Sequence, residues 1–187
     1  MSCRIFINRF DYNLVVRGER KKAEHKNGLA VLDFALRETC GIDLSRQTIE
    51  KGLHGKPYFA DRSDIHFNIS HSGDLAAAAV CEYPVGVDIQ VYRPVKDSLI
   101  KKLCSDTELQ YIRSSDDKSR AFLQLWTLKE SYIKATGDGM SFPMDEINFD
   151  IRRQNVKNAA VGRFSNQSGF YYVRDLGSFS LAACVLC

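Results

Sequence analysis

Several features that would place this chain in a membrane, in an oxidising compartment or on a nucleic acid are missing from its 187 residues. No apolar run is long enough to span a bilayer, and residues 1–6 lack the extended apolar core of a signal peptide. The six cysteines include no C-x-x-C pair, and the net charge of +3 is too small to indicate nucleic-acid binding. Cys81, Cys184 and Cys187 lie in apolar stretches as small hydrophobic residues. We therefore expect a cytoplasmic protein with reduced thiols that binds neither membrane nor nucleic acid.

A repeated pattern predicts two similar halves. Residues 75–81 resemble residues 181–187, and each stretch follows a polar turn that closes a preceding strand. A long helix is predicted before each set of strands, at about 23–39 and at about 119–135. This order of elements, found twice, indicates an α+β fold, and we place the boundary at Pro84, between halves 1–84 and 85–187.

The predicted helix 119–135 carries charged groups beside a wide apolar stripe. Glu130 and Lys134 lie one turn apart at its edge. Glutamate before lysine at this spacing is also the ordinary support of a solvated helix face, worth only a few tenths of a kcal/mol. The pair therefore indicates a site only if other polar groups face it.

Residues 84–91 are predicted to form a strand that supplies such a group. Valine and isoleucine alternate there with Gly86, Asp88 and Gln90. Aspartate is disfavoured in a β-branched run, and Gly86 permits close approach of a ligand or of another backbone. One solvated polar face is the alternative interpretation. If Asp88 faces Glu130, the two carboxylates would make an oxygen-rich site of the kind that suits Mg²⁺.

Residues 65–73 combine hydroxyl groups with an imidazole. Phe67 and Ile69 are predicted to face one way on a short strand, and Ser70, His71 and Ser72 to form a polar turn that could hold a phosphate. The alternative is a serine-rich turn whose side chains satisfy their own backbone. A Ser–His nucleophile pair is disfavoured, because no third orienting group is evident.

These segments, in this order, resemble the motifs of the 4′-phosphopantetheinyl transferases, specifically the larger single-chain type similar to the surfactin-synthetase-activating enzymes. The stretches concerned are residues 55–57, 67–72, 86–89 and 126–134, followed by a glycine loop at 137–140. The resemblance implies transfer of the 4′-phosphopantetheine arm of coenzyme A to a serine of an acyl or peptidyl carrier protein, with release of adenosine 3′,5′-bisphosphate. It also implies a pseudo-twofold arrangement of the two halves, with the site in the cleft between them, and we expect a monomer.

The same resemblance implies roles for individual residues. Asp88 and Glu130 would hold Mg²⁺ against the coenzyme A diphosphate, and Glu130 would take the proton of the carrier serine, directly or through a water. Lys134 would neutralise a diphosphate oxygen. The residues implied to contact the 3′-phosphate end of coenzyme A are Lys26, Lys56, Ser70 and His71.

Two positions complicate this assignment. The family strand usually reads Gly-x-Asp-x-Glu, whereas this chain has Gln90, so we expect weaker metal binding or a water in its place. Glu108 matches another acidic position of the family, but residues 105–108 also form a capping box, which we favour. Two other functions stay open: a Mg²⁺-dependent phosphodiesterase using the same carboxylates, although no dense carboxylate cluster is visible, and a non-catalytic module that binds coenzyme A or a nucleotide.

Overall fold

The structure is a computed structural model that describes residues 3–11, 15, 17–139, 142–149 and 169–186, together with the backbone of 159–162. Helices and strands are mixed along the chain, as the α+β prediction requires. Within the described residues, no helix has the length and apolar character needed to cross a membrane.

The first half is a three-stranded antiparallel sheet with one helix packed on it. Its elements are β1 (Cys3–Arg9), α1 (Arg20–Cys40), β2 (Ile49–Lys51), β3 (Pro57–Phe59), β4 (His66–Ser72) and β5 (Leu75–Cys81), with 3₁₀ turns at Arg17–Glu19 and Leu44–Arg46. The strand order is β1-β5-β4, and β2 and β3 form a separate hairpin. Leu32 and Leu36 of α1 pack with Phe67 of β4 in the core between helix and sheet. The predicted helix at about 23–39 is therefore confirmed, with longer ends.

The second half has a four-stranded sheet and three helices. Its elements are β6 (Val85–Val91), α2 (Asp97–Leu103), α3 (Asp106–Arg113), α4 (Lys118–Thr136), β7 (Ala159–Gly162), β8 (Gly169–Asp175) and β9 (Phe179–Leu186), with a 3₁₀ turn at Met144–Glu146. The strand order is β6-β9-β8-β7. Asp117 caps the start of α4 by accepting a hydrogen bond from the Arg120 N–H, and Gly137, with φ of 81°, ends the helix in the left-handed region.

The connectivity of the first sheet recurs in the second. In each sheet the first strand pairs with the last strand, and the last pairs with the strand before it, as β1-β5-β4 and β6-β9-β8. The repeated sequences lie in β5 and β9, although Cys187 is outside the described residues. A twofold rotation between the halves and a boundary at Pro84 stay predictions.

The two sheets meet along β4 and β6, which are joined through side chains. The three bonds run from the N–H groups of Val87, Ile89 and Val91 to the side-chain oxygens of Asn68, Ser70 and Ser72, at 3.0, 3.3 and 3.0 Å. They satisfy one edge of β6 that would otherwise bury unpaired donors. The polar turn expected at 70–73 is therefore wrong: β4 continues to Ser72 because its alternate side chains serve as acceptors for β6, and the chain turns at Gly73.

Helix α4 lies directly on β6 at Gly86. A Cβ at this position would be 2.0 Å from the Ser131 carbonyl oxygen and 2.4 Å from the Ala135 nitrogen. The sequence left open whether a ligand or another backbone approaches Gly86, and the structure shows that it is the backbone of α4. The contact brings the polar side chains of α4 against Asp88, two residues further along the same strand face.

Candidate active site

Asp88 is the centre of a hydrogen-bonded network at the junction of β4, β6 and α4. It is 2% exposed. Its Oδ1 accepts hydrogen bonds from Lys134 Nζ at 2.6 Å and from Ser70 Oγ at 2.7 Å, and its Oδ2 accepts one from Gln90 Nε2 at 3.0 Å. The alternative of a solvated polar strand face is wrong, because a buried carboxylate is stable only with donors such as these.

Lys134 supplies the positive charge of this network. Its side chain is 27% exposed, and Nζ also donates to Ser70 Oγ at 2.9 Å. The lysine makes its ion pair with Asp88 of β6, instead of supporting a solvated face with Glu130, and its bond to Ser70 crosses to β4 of the first sheet. The ammonium therefore holds together elements from both halves and still reaches solvent.

Glu130 lies one turn before Lys134 and is 8% exposed. Burial raises the pKa of this carboxyl above its ordinary value of 4.5, the negative charge of Asp88 raises it further, and Lys134 partly opposes both effects. Two carboxyl groups thus influence each other in a buried position. This arrangement suits a general base or a cation ligand.

The carboxylate oxygens of Asp88 and Glu130 are ligands of the kind that a hard divalent cation takes. Among the described residues, no group of three or more His, Cys, Asp or Glu side chains could hold a metal ion. Mg²⁺, however, commonly takes one or two carboxylates and completes its shell with water and phosphate oxygens. Asp88 and Glu130 supply two carboxylates, and a cation would oppose both burial and the Asp88 charge, which raise the Glu130 pKa. Gln90 directs its amide N–H towards Asp88, so the amide would have to rotate to offer its oxygen.

The residues predicted to contact the 3′-phosphate do not gather in one turn. Ser70 and His71 are neighbours on β4 and so point to opposite faces. Ser70 belongs to the Asp88 network, whereas His71 is exposed, with Nδ1 3.7 Å from Oε2 of Glu24 on α1. Lys26 is exposed on the same helix. The structure therefore brings Ser70 to the carboxylates and leaves His71 and Lys26 on the surface.

Lys56 lies between the halves, in contact with backbone oxygens. Its Nζ donates to the carbonyl of Ala135 at 2.6 Å and to that of Val85 at 3.2 Å. Burial lowers the pKa of Lys56 to about 8. This lysine of the first half thus ties the end of α4 to the start of β6, a structural role that the sequence did not indicate.

A buried ion pair between α4 and α3 was not predicted from the sequence. Lys129 Nζ lies 2.7 Å from Glu108 Oε2, with both side chains 1% exposed, and donates to the carbonyls of Leu103 and Met144. Glu108 also closes the predicted capping box, which is confirmed. One signal was available: Lys129 follows Leu125 by four residues and so lies on the apolar side of the helix, where a lysine needs a partner.

Comparison with known proteins shows which family the chain belongs to. A family model described as the 4′-phosphopantetheinyl transferase superfamily matches residues 84–184, a segment that contains Asp88, Glu130 and Lys134. The chain belongs to this superfamily. The resemblance found in the sequence motifs is thereby confirmed.

Three bacterial relatives show how far the similarity extends. A 4′-phosphopantetheinyl transferase of Bacillus subtilis is 32% identical over 86% of this chain and 67% of its own length. The transferase Sfp of Bacillus subtilis strain 168 is 39% identical over 70% of this chain and 59% of its own. The transferase gsp of Aneurinibacillus migulanus is 39% identical over 57% and 48%. The chain thus spans about half to two thirds of these proteins.

Among solved structures, the holo-[acyl-carrier-protein] synthase AcpS of Thermotoga maritima matches 56% of this chain and 62% of its own, with 18% identity and a TM-score of 0.42.

Proposed function

We propose that this chain transfers the 4′-phosphopantetheine arm of coenzyme A to a serine hydroxyl of an acyl or peptidyl carrier protein and releases adenosine 3′,5′-bisphosphate. The observation that carries the proposal is the buried network of Asp88, Lys134 and Ser70 beside Glu130. It lies at the junction of the two sheets and, except for Ser70, within the segment matched to the superfamily. Cytoplasmic location and a monomeric state remain predictions.

The chemistry of the transfer suits these groups. The serine oxygen attacks the phosphorus that carries pantetheine, and the bond from that phosphorus to the bridging oxygen breaks. Glu130 would accept the serine proton, because a carboxylate with a raised pKa is a better base. Lys134 reaches solvent from the network and would neutralise a diphosphate oxygen as negative charge moves to the leaving group.

Mg²⁺ would be held by Asp88 and Glu130, where it would supply further charge neutralisation on the diphosphate. Gln90 is a neutral neighbour where the family pattern has a glutamate. Because an amide oxygen binds a hard cation more weakly than a carboxylate, we expect this chain to need more Mg²⁺ than its Gln90→Glu variant.

The 3′-phosphate of coenzyme A would bind on the first half. His71 and Lys26 are exposed and can approach a phosphate directly from solvent. Lys56 would have to release at least one of its two carbonyl partners first. His71→Ala should therefore raise the KM for coenzyme A more than it lowers kcat, and should have little effect with 3′-dephospho-coenzyme A.

A groove of about 550 Å³ beside α4 offers a surface for the carrier protein. Its walls include Arg93, Lys96 and Lys102 together with Trp126 and Leu99, which is 43% exposed. Trp126 lies one turn before Glu130 on α4, so the groove is close to the proposed base. Basic side chains around an apolar floor suit an acidic partner.

The test is mass spectrometry of apo carrier proteins incubated with coenzyme A and Mg²⁺. We expect the carrier serine to gain one phosphopantetheine unit with the parent chain and with Asp61→Ala, an exposed carboxylate outside the site. Asp88→Ala and Glu130→Ala should each reduce transfer by about a hundredfold or more. Near-normal transfer by either variant at saturating Mg²⁺ would contradict the site assignment. Cleavage of coenzyme A without a carrier would indicate a phosphodiesterase, and binding without any turnover a non-catalytic module.

A further inference from the structure

Two cysteines face each other across β1 and β5, in a part of the first sheet that the transfer reaction does not use. Cys3 is in register with Cys81. In the same ladder the Phe10 N–H donates to the Asp74 carbonyl, so these opposite residues form a hydrogen-bonded pair. Pairs alternate along an antiparallel ladder, and Cys3 with Cys81 is therefore a non-hydrogen-bonded pair, with Cα atoms about 4.5 Å apart. That separation lies within the range of about 4.4–6.8 Å that a disulfide requires.

The surroundings of Cys81 favour a thiolate. The groups that favour its ionised form are the facing Cys3 thiol and the backbone N–H groups of Tyr83 and Glu82. Cys3 has the largest effect, and together these groups lower the pKa of Cys81 to about 7 although burial opposes them. The same contact, with burial, raises the pKa of Cys3. The direction of these shifts favours ionisation at Cys81 over Cys3, and the thiolate is the reactive form of a cysteine.

A small molecule can reach Cys3 from one side of the sheet. Cys3 is half-buried and forms part of the wall of a cleft of about 530 Å³ between β1 and the strands β8 and β9. Cys81 lies behind it and is 3% exposed. The cleft is large enough to bring a peroxide to Cys3, and Cys81 lies opposite Cys3 in the ladder.

We propose that Cys3 and Cys81 are a redox-active pair that a peroxide closes into a cross-strand disulfide. The Cys81 thiolate attacks one peroxide oxygen, the O–O bond breaks, and the hydroxide that leaves is protonated to water, which leaves Cys81 as a sulfenic acid. The Cys3 thiol loses its proton and attacks the Cys81 sulfur, and the S–O bond breaks as a second water leaves. Two thiols are oxidised and one peroxide is reduced to two waters. A dithiol reductant reverses the reaction.

The disulfide would tie an edge strand of the first sheet to the strand that leads into the second half. Only residues 82–84 separate Cys81 from β6, which carries Asp88. A crosslink from residue 3 to residue 81 restricts a long loop of the unfolded chain, and this stabilises the folded state. We expect the melting temperature to rise by about 5 °C or more on oxidation.

The experiment treats the reduced 187-residue chain with hydrogen peroxide near neutral pH, alkylates the remaining thiols and digests with trypsin without reduction. Trypsin cuts after Arg4 and Arg62, so Cys3 and Cys81 lie on different peptides. We expect one linked Cys3–Cys81 peptide that dithiothreitol separates, with the rise in melting temperature. Cys40 is exposed and its pKa is raised, so its thiol should react at least about tenfold more slowly.

Two variants distinguish disulfide formation between Cys3 and Cys81 from non-specific oxidation of thiols. Cys3→Ser should abolish both the linked peptide and the thermal shift and leave a Cys81 sulfenic acid that dimedone traps, whereas Cys40→Ser should retain both. If a variant fails to fold, the linked peptide and the thermal shift of the parent protein still test the proposal. Peroxide-treated parent protein in which Cys3 and Cys81 both remain alkylatable, or in which either is oxidised to the sulfinic acid without a linked peptide, would overturn the proposal.

Discussion

Replacing Lys134 with methionine should destabilise the protein strongly in the absence of divalent cations, because it leaves the buried charge of Asp88 without its counterion. Lys134 Nζ lies 2.6 Å from Asp88 Oδ1, and the Asp88 side chain is 3% exposed. Methionine preserves most of the apolar stem, so the substitution removes mainly the ammonium group.

The magnitude follows from the partners that remain. Removing one member of a fully buried ion pair costs about 3–5 kcal/mol. Asp88 would keep its bonds from Ser70 and Gln90, and the Lys134 side chain is 27% exposed, so we expect the smaller loss of about 2–3 kcal/mol. Asp88→Asn should cost less, about 1–2 kcal/mol, because Lys134 can turn to water. In the double variant the effects should overlap, with a coupling energy of about 1–2 kcal/mol.

The assay is urea unfolding of the parent, both single variants and the double variant, followed by circular dichroism in the presence of a chelator. Lys118→Met is the matched control, because Lys118 is exposed at the start of the same helix and its loss should change the free energy of unfolding by less than about 0.5 kcal/mol. Strict additivity of the two single variants, or a Lys134→Met loss no larger than that of the control, would refute the assignment of Lys134 as the counterion of Asp88.

Three further predictions concern neighbouring positions. The pKa of Glu130 is raised above 4.5 in the folded state, so the folded protein binds this proton more tightly than the unfolded chain does. The stability that the protonated carboxyl contributes is therefore lost as the pH rises from 4.5 through the folded-state pKa. The melting temperature of Glu130→Gln should accordingly increase relative to that of the parent between pH 5 and pH 7. Gly86→Ala should cost more than about 3 kcal/mol, because its Cβ would lie 2.0 Å from a helix carbonyl. Gln90→Glu should lower the Mg²⁺ concentration for half-maximal transfer by up to about tenfold, the added charge being partly offset by repulsion from the neighbouring carboxylates.

Each of these predictions has a result that would contradict it. A constant difference in melting temperature between parent and Glu130→Gln across the pH range would mean that the carboxyl is not perturbed. A Cβ added at Gly18 would meet no described atom within 4 Å, so Gly18→Ala serves as the control for Gly86→Ala, and equal losses would exclude a steric cause. An unchanged Mg²⁺ requirement in Gln90→Glu would show that position 90 does not reach the cation.

Much of the local structure could be predicted from residue patterns. The period of apolar residues identified the helices now seen at Arg20–Cys40 and Lys118–Thr136, and the alternation of residues 84–91 identified β6. The capping box at 105–108 was also recognisable, because its bonds join residues three apart. These features depend on neighbours in sequence, so the sequence contains what is needed to infer them.

The end of β4 could not be inferred in the same way. Ser70, His71 and Ser72 have the composition of a turn, yet they continue a strand. Their conformation is stabilised by N–H groups of β6, which lie about nineteen residues further along the chain. Local propensity does not show that a distant strand needs these side chains as hydrogen-bond acceptors, so it could not predict that the strand continues.

The sequence by itself determined the family and the helix that carries Glu130, and it singled out Asp88 and Glu130 as candidate site residues, because these features depend on residue types and short spacings. Only the tertiary structure decided the partners: Lys134 pairs with Asp88 and not with Glu130, Ser70 joins the carboxylates and not a phosphate turn, Lys56 holds backbone carbonyls, and Lys129 is neutralised in the core. The physical reason is that a buried charge takes whichever opposite charge or donor the packing places within hydrogen-bonding distance, and that distance is set by how strands and helices far apart in sequence meet.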